Sequence, residues 1–177
     1  MKPLFEVNLA TYIIKKAPIE TEANGNSSVI HHFANGLTLK NMSDLHAEFK
    51  DTQRNKYDSK VKAFLNEYDI QVDLYQKDIK VATPRGAHMI QFSNEEPRPG
   101  FFMDTLPGED GFFGPCRPTA QREFTLRHNE IEKAKSLGFK PGYDFEHNYV
   151  YDAKSDSLAL IDFFYWQRPK KNGDLAK

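Results

Sequence analysis

Gly142-Tyr143-Asp144-Phe145-Glu146-His147-Asn148-Tyr149-Val150-Tyr151, continuing through Asp152-Ala153-Lys154-Ser155-Asp156-Ser157 to Leu158-Ala159-Leu160-Ile161-Asp162-Phe163-Phe164, decides how the chain is read. Residues 149–151 and 158–161 are short runs rich in β-favouring side chains, and residues 152–156 between them have turn composition, so two antiparallel strands are predicted. Asn148 enters the first strand and Asp162 leaves the second. Antiparallel pairing brings those ends together, where an amide oxygen and a carboxylate can face one hard cation such as Mg²⁺. Asp144 sits just upstream and is left for a separate role. The competing reading of the same residues is a surface hairpin whose Asn and Asp cap turns.

Asp144 to Asn148, the hairpin and Leu160-Ile161-Asp162-Phe163 together resemble the catalytic loop and metal-binding segment of protein-kinase-like phosphotransferases, most nearly the minimal bacterial effector protein kinases of the OspG and HopBF type. The resemblance implies that Asp144 orients or deprotonates the attacking hydroxyl, while Asn148 and Asp162 hold Mg²⁺ against the phosphates of ATP. Three features differ from the family pattern. Gly142-Tyr143 stand where the family has His-Arg, three residues rather than four separate Asp144 from Asn148, and Phe164 stands where a glycine follows Asp-Phe.

The upstream half presents further elements in the order this machinery requires. Asn24-Gly25-Asn26-Ser27-Ser28 is a small polar loop, residues 29–34 and 37–40 are strand-like, and Asn35-Gly36 between them is the strongest short hairpin signal. By resemblance Gly25, Ser27 and Ser28 would belong to the loop that covers the nucleotide phosphates, and Lys40 would contact those phosphates. Read alone, the loop is a turn and Lys40 a solvated strand end. From Ser43 to about Gln76 the periodicity is helical, with Ser43 as N-cap and a polar break at residues 51–55 that divides two helices. The second, residues 57–75, carries Val61, Phe64, Leu65, Tyr68 and Val72 on one face with Glu67 beside that stripe. A kinase-like site needs an acidic partner for its lysine; Glu67 is the first choice and Glu48 the competing one.

Strands are expected at residues 79–83 and 87–92 around a Pro84-Arg85-Gly86 turn, and at 101–103. Residues 104–108 then read as a hinge, where the resemblance makes Met103 the gate of the back pocket and gives the backbone of Asp104 and Leu106 to the adenine edge. Thr119 caps a helix that runs to Leu137 and is terminated by Gly138. Beyond Asp162 only the aromatic run 163–166, read as packing, and a basic tail remain. The fold class implied is α+β: one reduced kinase-like domain over residues 1–177, with a β-rich N-lobe to about 103 and a minimal helical C-lobe from about 109.

Composition bounds the alternatives. The chain has 177 residues, 39% hydrophobic and 13% aromatic, enough for a real core. A formal net charge of −1 provides no global field toward nucleic acid or an anionic membrane. The single Cys116 can form no internal disulfide, the six histidines lack metal-ligand spacing, and no apolar run approaches the roughly 20 residues of a membrane span or forms a Sec-type signal. The resemblance implies a monomeric effector delivered to the host cytoplasm and acting on a host protein, either a heat-shock chaperone or the ubiquitin-conjugation machinery. Two other readings stand beside it: a small-molecule phosphotransferase, and a catalytically silent kinase fold that binds a partner.

Overall fold

The protein, a computed structural model, is described over residues 11–24, 28–43, 54–93, 95–110, 118–143 and 145–169. It divides into two compact units, Met1–Tyr68 with Pro84–Thr105, and Asp69–Thr83 with Leu106–Lys177.

The first unit is built on a six-stranded sheet. Its strands are β1 (Thr11–Ile14), β2 (Glu20–Asn24), β3 (Ser28–His32), β4 (Leu37–Met42), β5 (Pro84–Phe92) and β6 (Arg98–Asp104), in the spatial order β1-β5-β6-β4-β3-β2. All neighbours pair antiparallel except β1, which lies parallel to β5. The Asn35-Gly36 turn joins β3 to β4, with Gly36 at φ +77, a conformation that costs glycine nothing. Alternation along the strands sorts the side chains. Leu39, Ile90 and Phe102 form a cluster on one face, while Met42 and Phe101 on the other pack with Phe64. Phe64 belongs to the long helix α1 (Arg54–Tyr75). Phe64 and Phe101 are fully buried, and removing side chains of this kind from water is worth about 1.5–3 kcal/mol each.

The second unit contains α2 (Ala120–Ser136) and a three-stranded sheet of β7 (Glu109–Asp110), β8 (Tyr149–Asp152) and β9 (Ser157–Leu160). Its core includes Ile70 and Leu74 near the end of α1, Ile131 and Ala134 of α2, Tyr149, Tyr151, Leu158 and Leu160 of the hairpin, then Phe163 and Trp166. Both helices end in the same way. Ile79 N–H returns to Leu74 O and Asp78 N–H to Tyr75 O, just as Phe139 returns to Ala134 and Gly138 to Lys135, so the last carbonyls of each helix are satisfied. The residue in the left-handed conformation is Gly138 at φ +87 in one case and Asp78 at φ +57 in the other.

Two strand and turn expectations are corrected, and one strand was not expected. Residues 79–83 are not a strand: Val81 makes only a single bridge to Leu160. Neighbouring backbone groups are claimed by side chains, Lys80 N–H by Glu130 at 3.0 Å and Ala82 O by Gln71 at 2.7 Å, which leaves no ladder to extend. Pro84-Arg85-Gly86 is not a turn but the bulged start of β5, where the register shifts and Gly86 takes φ +126. β2, unforeseen, is an acidic strand at the edge of the sheet, the kind of residue content that keeps edges from pairing with other chains. Residues 44–53, which hold most of the first expected helix and the start of the polar break, lie outside the described residues, and α1 starts at Arg54 rather than Tyr57. No helix among the described residues is long and apolar enough to cross a membrane.

Candidate functional site

Lys40 occupies the middle of β4, flanked in register by Ile30 of β3 and Phe101 of β6. It is only 5% exposed. An ammonium group removed from water needs a charged partner with good geometry, and α1 supplies one: Lys40 Nζ lies 2.6 Å from Oε1 of Glu67, itself 1% exposed. The separation is that of a strong charge-assisted hydrogen bond. Of the two acids considered from sequence, the structure pairs Lys40 with Glu67; Glu48 lies outside the described residues.

Ser28 opens β3 opposite Met42, which places it on the same sheet face as Ile30 and Lys40. It is 1% exposed, and its hydroxyl has no hydrogen-bond partner among the described residues. A buried, unpartnered hydroxyl is costly unless something else bonds to it. Gly25 and Ser27, the other residues assigned to this loop, lie outside the described residues.

Met103 and Asp104 end β6, opposite Thr38 and Leu37. Met103 packs, partly buried, against the cluster of Met42, Phe64 and Phe101. The Asp104 carboxylate is gripped by the Arg85 guanidinium through two bonds of 2.6 and 2.7 Å. Leu106 follows in the second unit, half-buried. Gly108 takes φ +121, and a Cβ there would lie 2.3 Å from the Tyr151 carbonyl oxygen, so only glycine fits.

In the second unit the hairpin forms with Tyr149 opposite Leu160 and Tyr151 opposite Leu158. One more bond, from Ile161 N–H to the Asn148 carbonyl at 3.0 Å, carries the pairing past the strands and draws Asn148 to the residue preceding Asp162. Asp162 has φ +57, a conformation uncommon outside glycine, and Phe163, 1% exposed, anchors the chain immediately after it. Asn148 is half-buried, and its side-chain amide nitrogen has no hydrogen-bond partner among the described residues. Asp144 lies outside the described residues. The loop that bears Asn148 is held from α2. Glu123, 2% exposed, accepts from Tyr149 Oη at 2.9 Å and from Thr119 Oγ1 at 2.5 Å, and Arg127 donates to the Glu146 carbonyl. These acceptor and donor side chains are four residues apart on one helix face.

An amide and a carboxylate are hard oxygen donors of the kind Mg²⁺ takes, and Mg²⁺ keeps waters and substrate phosphates in its other positions. Among the described residues no group of three or more His, Cys, Asp or Glu could hold a metal. The aromatic run read as packing divides: Phe163 and Trp166 are buried, whereas Tyr165 is exposed and meets Tyr143, which is 79% exposed, at a tilt of 40° with ring centroids 4.7 Å apart.

No protein-family model matches the chain, and no curated protein matches its sequence. Among solved structures, its fold is similar to that of WbdD in a co-crystal structure with the kinase inhibitor LY294002, at a TM-score of 0.56 and 14% identity over 90% of this chain. The chain spans 35% of the length of that protein. At this identity the likeness is one of fold alone, a mixed arrangement of α and β elements.

Proposed function

We propose that the chain is an ATP-dependent phosphotransferase acting as a protein kinase, which moves the terminal phosphoryl group of ATP to a protein hydroxyl. The observation that carries this reading is the buried Lys40–Glu67 pair, 2.6 Å apart, on the sheet face that also bears the Ser28 hydroxyl. A buried ion pair is often no more stabilising than apolar residues of the same volume. Stability alone therefore gives this strand no reason to hold a lysine, whereas a fixed ammonium beside phosphates does.

In this reading Lys40, steadied by Glu67, meets the phosphates, Ser28 Oγ donates to them, and the backbone of Asp104 and Leu106 reads the adenine edge. Asn148 and Asp162 would hold Mg²⁺, which when bound neutralises charge developing on the phosphate oxygens. Asp144 takes the proton of the attacking hydroxyl. The acceptor oxygen bonds to the γ-phosphorus as its bond to the bridging oxygen breaks, and ADP leaves with that electron pair. A second reading, a kinase fold that binds a partner without transfer, draws on Tyr143, exposed where the family places arginine.

The test is transfer of γ-labelled phosphate from ATP to proteins of a host-cell lysate. Asp162→Asn removes the charge while keeping a residue that tolerates positive φ; it should cut transfer at least about 100-fold and leave a cooperative melt. Near-normal transfer in this variant contradicts the cation assignment, and ATP binding without transfer in the unaltered protein favours the second reading.

A further inference from the structure

We infer that the buried hydroxyl of Thr38 is a positioning group for the nucleotide base, a step that rests on the nucleotide-binding reading above. Thr38 lies two residues before Lys40 on β4, on the same face, and is 5% exposed. Its Oγ1 is 2.8 Å from Thr105 Oγ1 and 3.0 Å from His32 Nδ1, so one small side chain ties β3 and β4 to the residue that follows β6. The backbone is tied there as well: Thr105 N–H donates to the Gly36 carbonyl at 2.8 Å, one step beyond the Leu37–Asp104 pair that ends the ladder. From the β5 side, Arg85 grips the carboxylate of Asp104. Residues 104 and 105 are thus fastened on both flanks.

Backbone recognition of a base depends on where the backbone is, since it has no side chain to readjust, and binding groups must be held to within about 0.5 Å to be effective. The Thr38–Thr105 bond spans 67 residues of sequence and sits two residues from the lysine assigned to the phosphates. Packing alone does not call for this hydroxyl. Valine has the same branched shape, and Thr105 is exposed, so its hydroxyl could turn to water if Thr38 lost its oxygen. What valine removes is the fixed position of the segment assigned to the base.

The experiment uses the full chain and two probes, Mg²⁺ with ATP and Mg²⁺ with inorganic tripolyphosphate, titrated by calorimetry. Tripolyphosphate has the phosphates and lacks the base. Thr38→Val should raise Kd for ATP about tenfold, equivalent to about 1.4 kcal/mol, and leave Kd for tripolyphosphate and the melting temperature unchanged. Thr38→Ser should restore ATP affinity, and adding Thr105→Val to Thr38→Val should cost nothing further, as expected of two residues acting through one bond. The inference is overturned if Thr38→Val binds ATP like the unaltered protein, or weakens both probes equally. Unaltered protein that binds tripolyphosphate as tightly as ATP overturns the base role alone; unaltered protein that binds neither probe overturns the nucleotide reading together with this inference.

Discussion

Lys40 and Glu67 decide more than any other residues, and their burial makes stability and function separable. Removing one member of a buried ion pair strands the other charge, at a typical cost of about 3–5 kcal/mol, whereas replacing both with apolar residues can be neutral or better. Lys40→Met and Glu67→Leu should therefore each lower the denaturation midpoint sharply, while Lys40→Met/Glu67→Leu recovers most of it. Additive losses in urea unfolding would contradict the pairing seen at 2.6 Å. The pair was legible in the sequence because Glu67 borders a helical apolar stripe and Lys40 follows an Asn-Gly hairpin. The place of Asn148 and Asp162 at the open end of the hairpin was legible from the alternation of the runs between them. The links from Thr38 to His32 and Thr105 were not, since short polar residues in a strand look the same whether they face water or one another. Nor could the sequence place Ser28 inside, because serine in a Gly- and Asn-containing stretch reads as exposed loop.

Among the elements, the β8–β9 hairpin holds a charge network outside the proposed chemistry. Asp156, at φ +49 in the turn, accepts two bonds from Arg122 Nε at 3.0 Å, one from Arg122 Nη2 at 2.7 Å and one from Tyr151 Oη at 2.9 Å. The Arg122 bond, followed by that from Tyr151, holds its carboxyl below the ordinary aspartate value of 3.8. A depressed folded-state value means stability that is present above 3.8 and lost as the pH falls through the folded-state value. The melting temperature should fall more steeply below that pH in the unaltered protein than in Asp156→Asn, which keeps a residue tolerant of positive φ; equal slopes would remove Asp156 from the acid response. The hairpin itself and α2 with its Gly138 stop were readable, since alternation, turn composition and a C-terminal glycine are local signals. Residues 79–83 misled because apolar alternation predicts burial without saying which partner fills the backbone bonds, and here side chains of Gln71 and Glu130 did so. β2 escaped because an edge strand of Glu, Thr and Asn lacks the apolar pattern on which strand prediction depends.

At the scale of the whole molecule, the mixed α and β content agrees with the α+β class expected, and the likeness to WbdD extends over 90% of the chain while remaining a likeness of fold. The central claim of the proposed reading is that the folded chain binds Mg²⁺ and ATP through Lys40 and Glu67. Ligand that binds only the folded state stabilises it by about 2.7 kcal/mol at 100 times Kd, which for a chain of this size is a melting-temperature rise of roughly 5–10 °C. The most direct measurement is a calorimetric and thermal-melt titration of Mg²⁺ and ATP against the unaltered protein and Lys40→Met/Glu67→Leu. The account predicts one-to-one binding and that rise for the unaltered protein, and a folded double variant with neither; equal binding by both, or none by the unaltered protein, would contradict it.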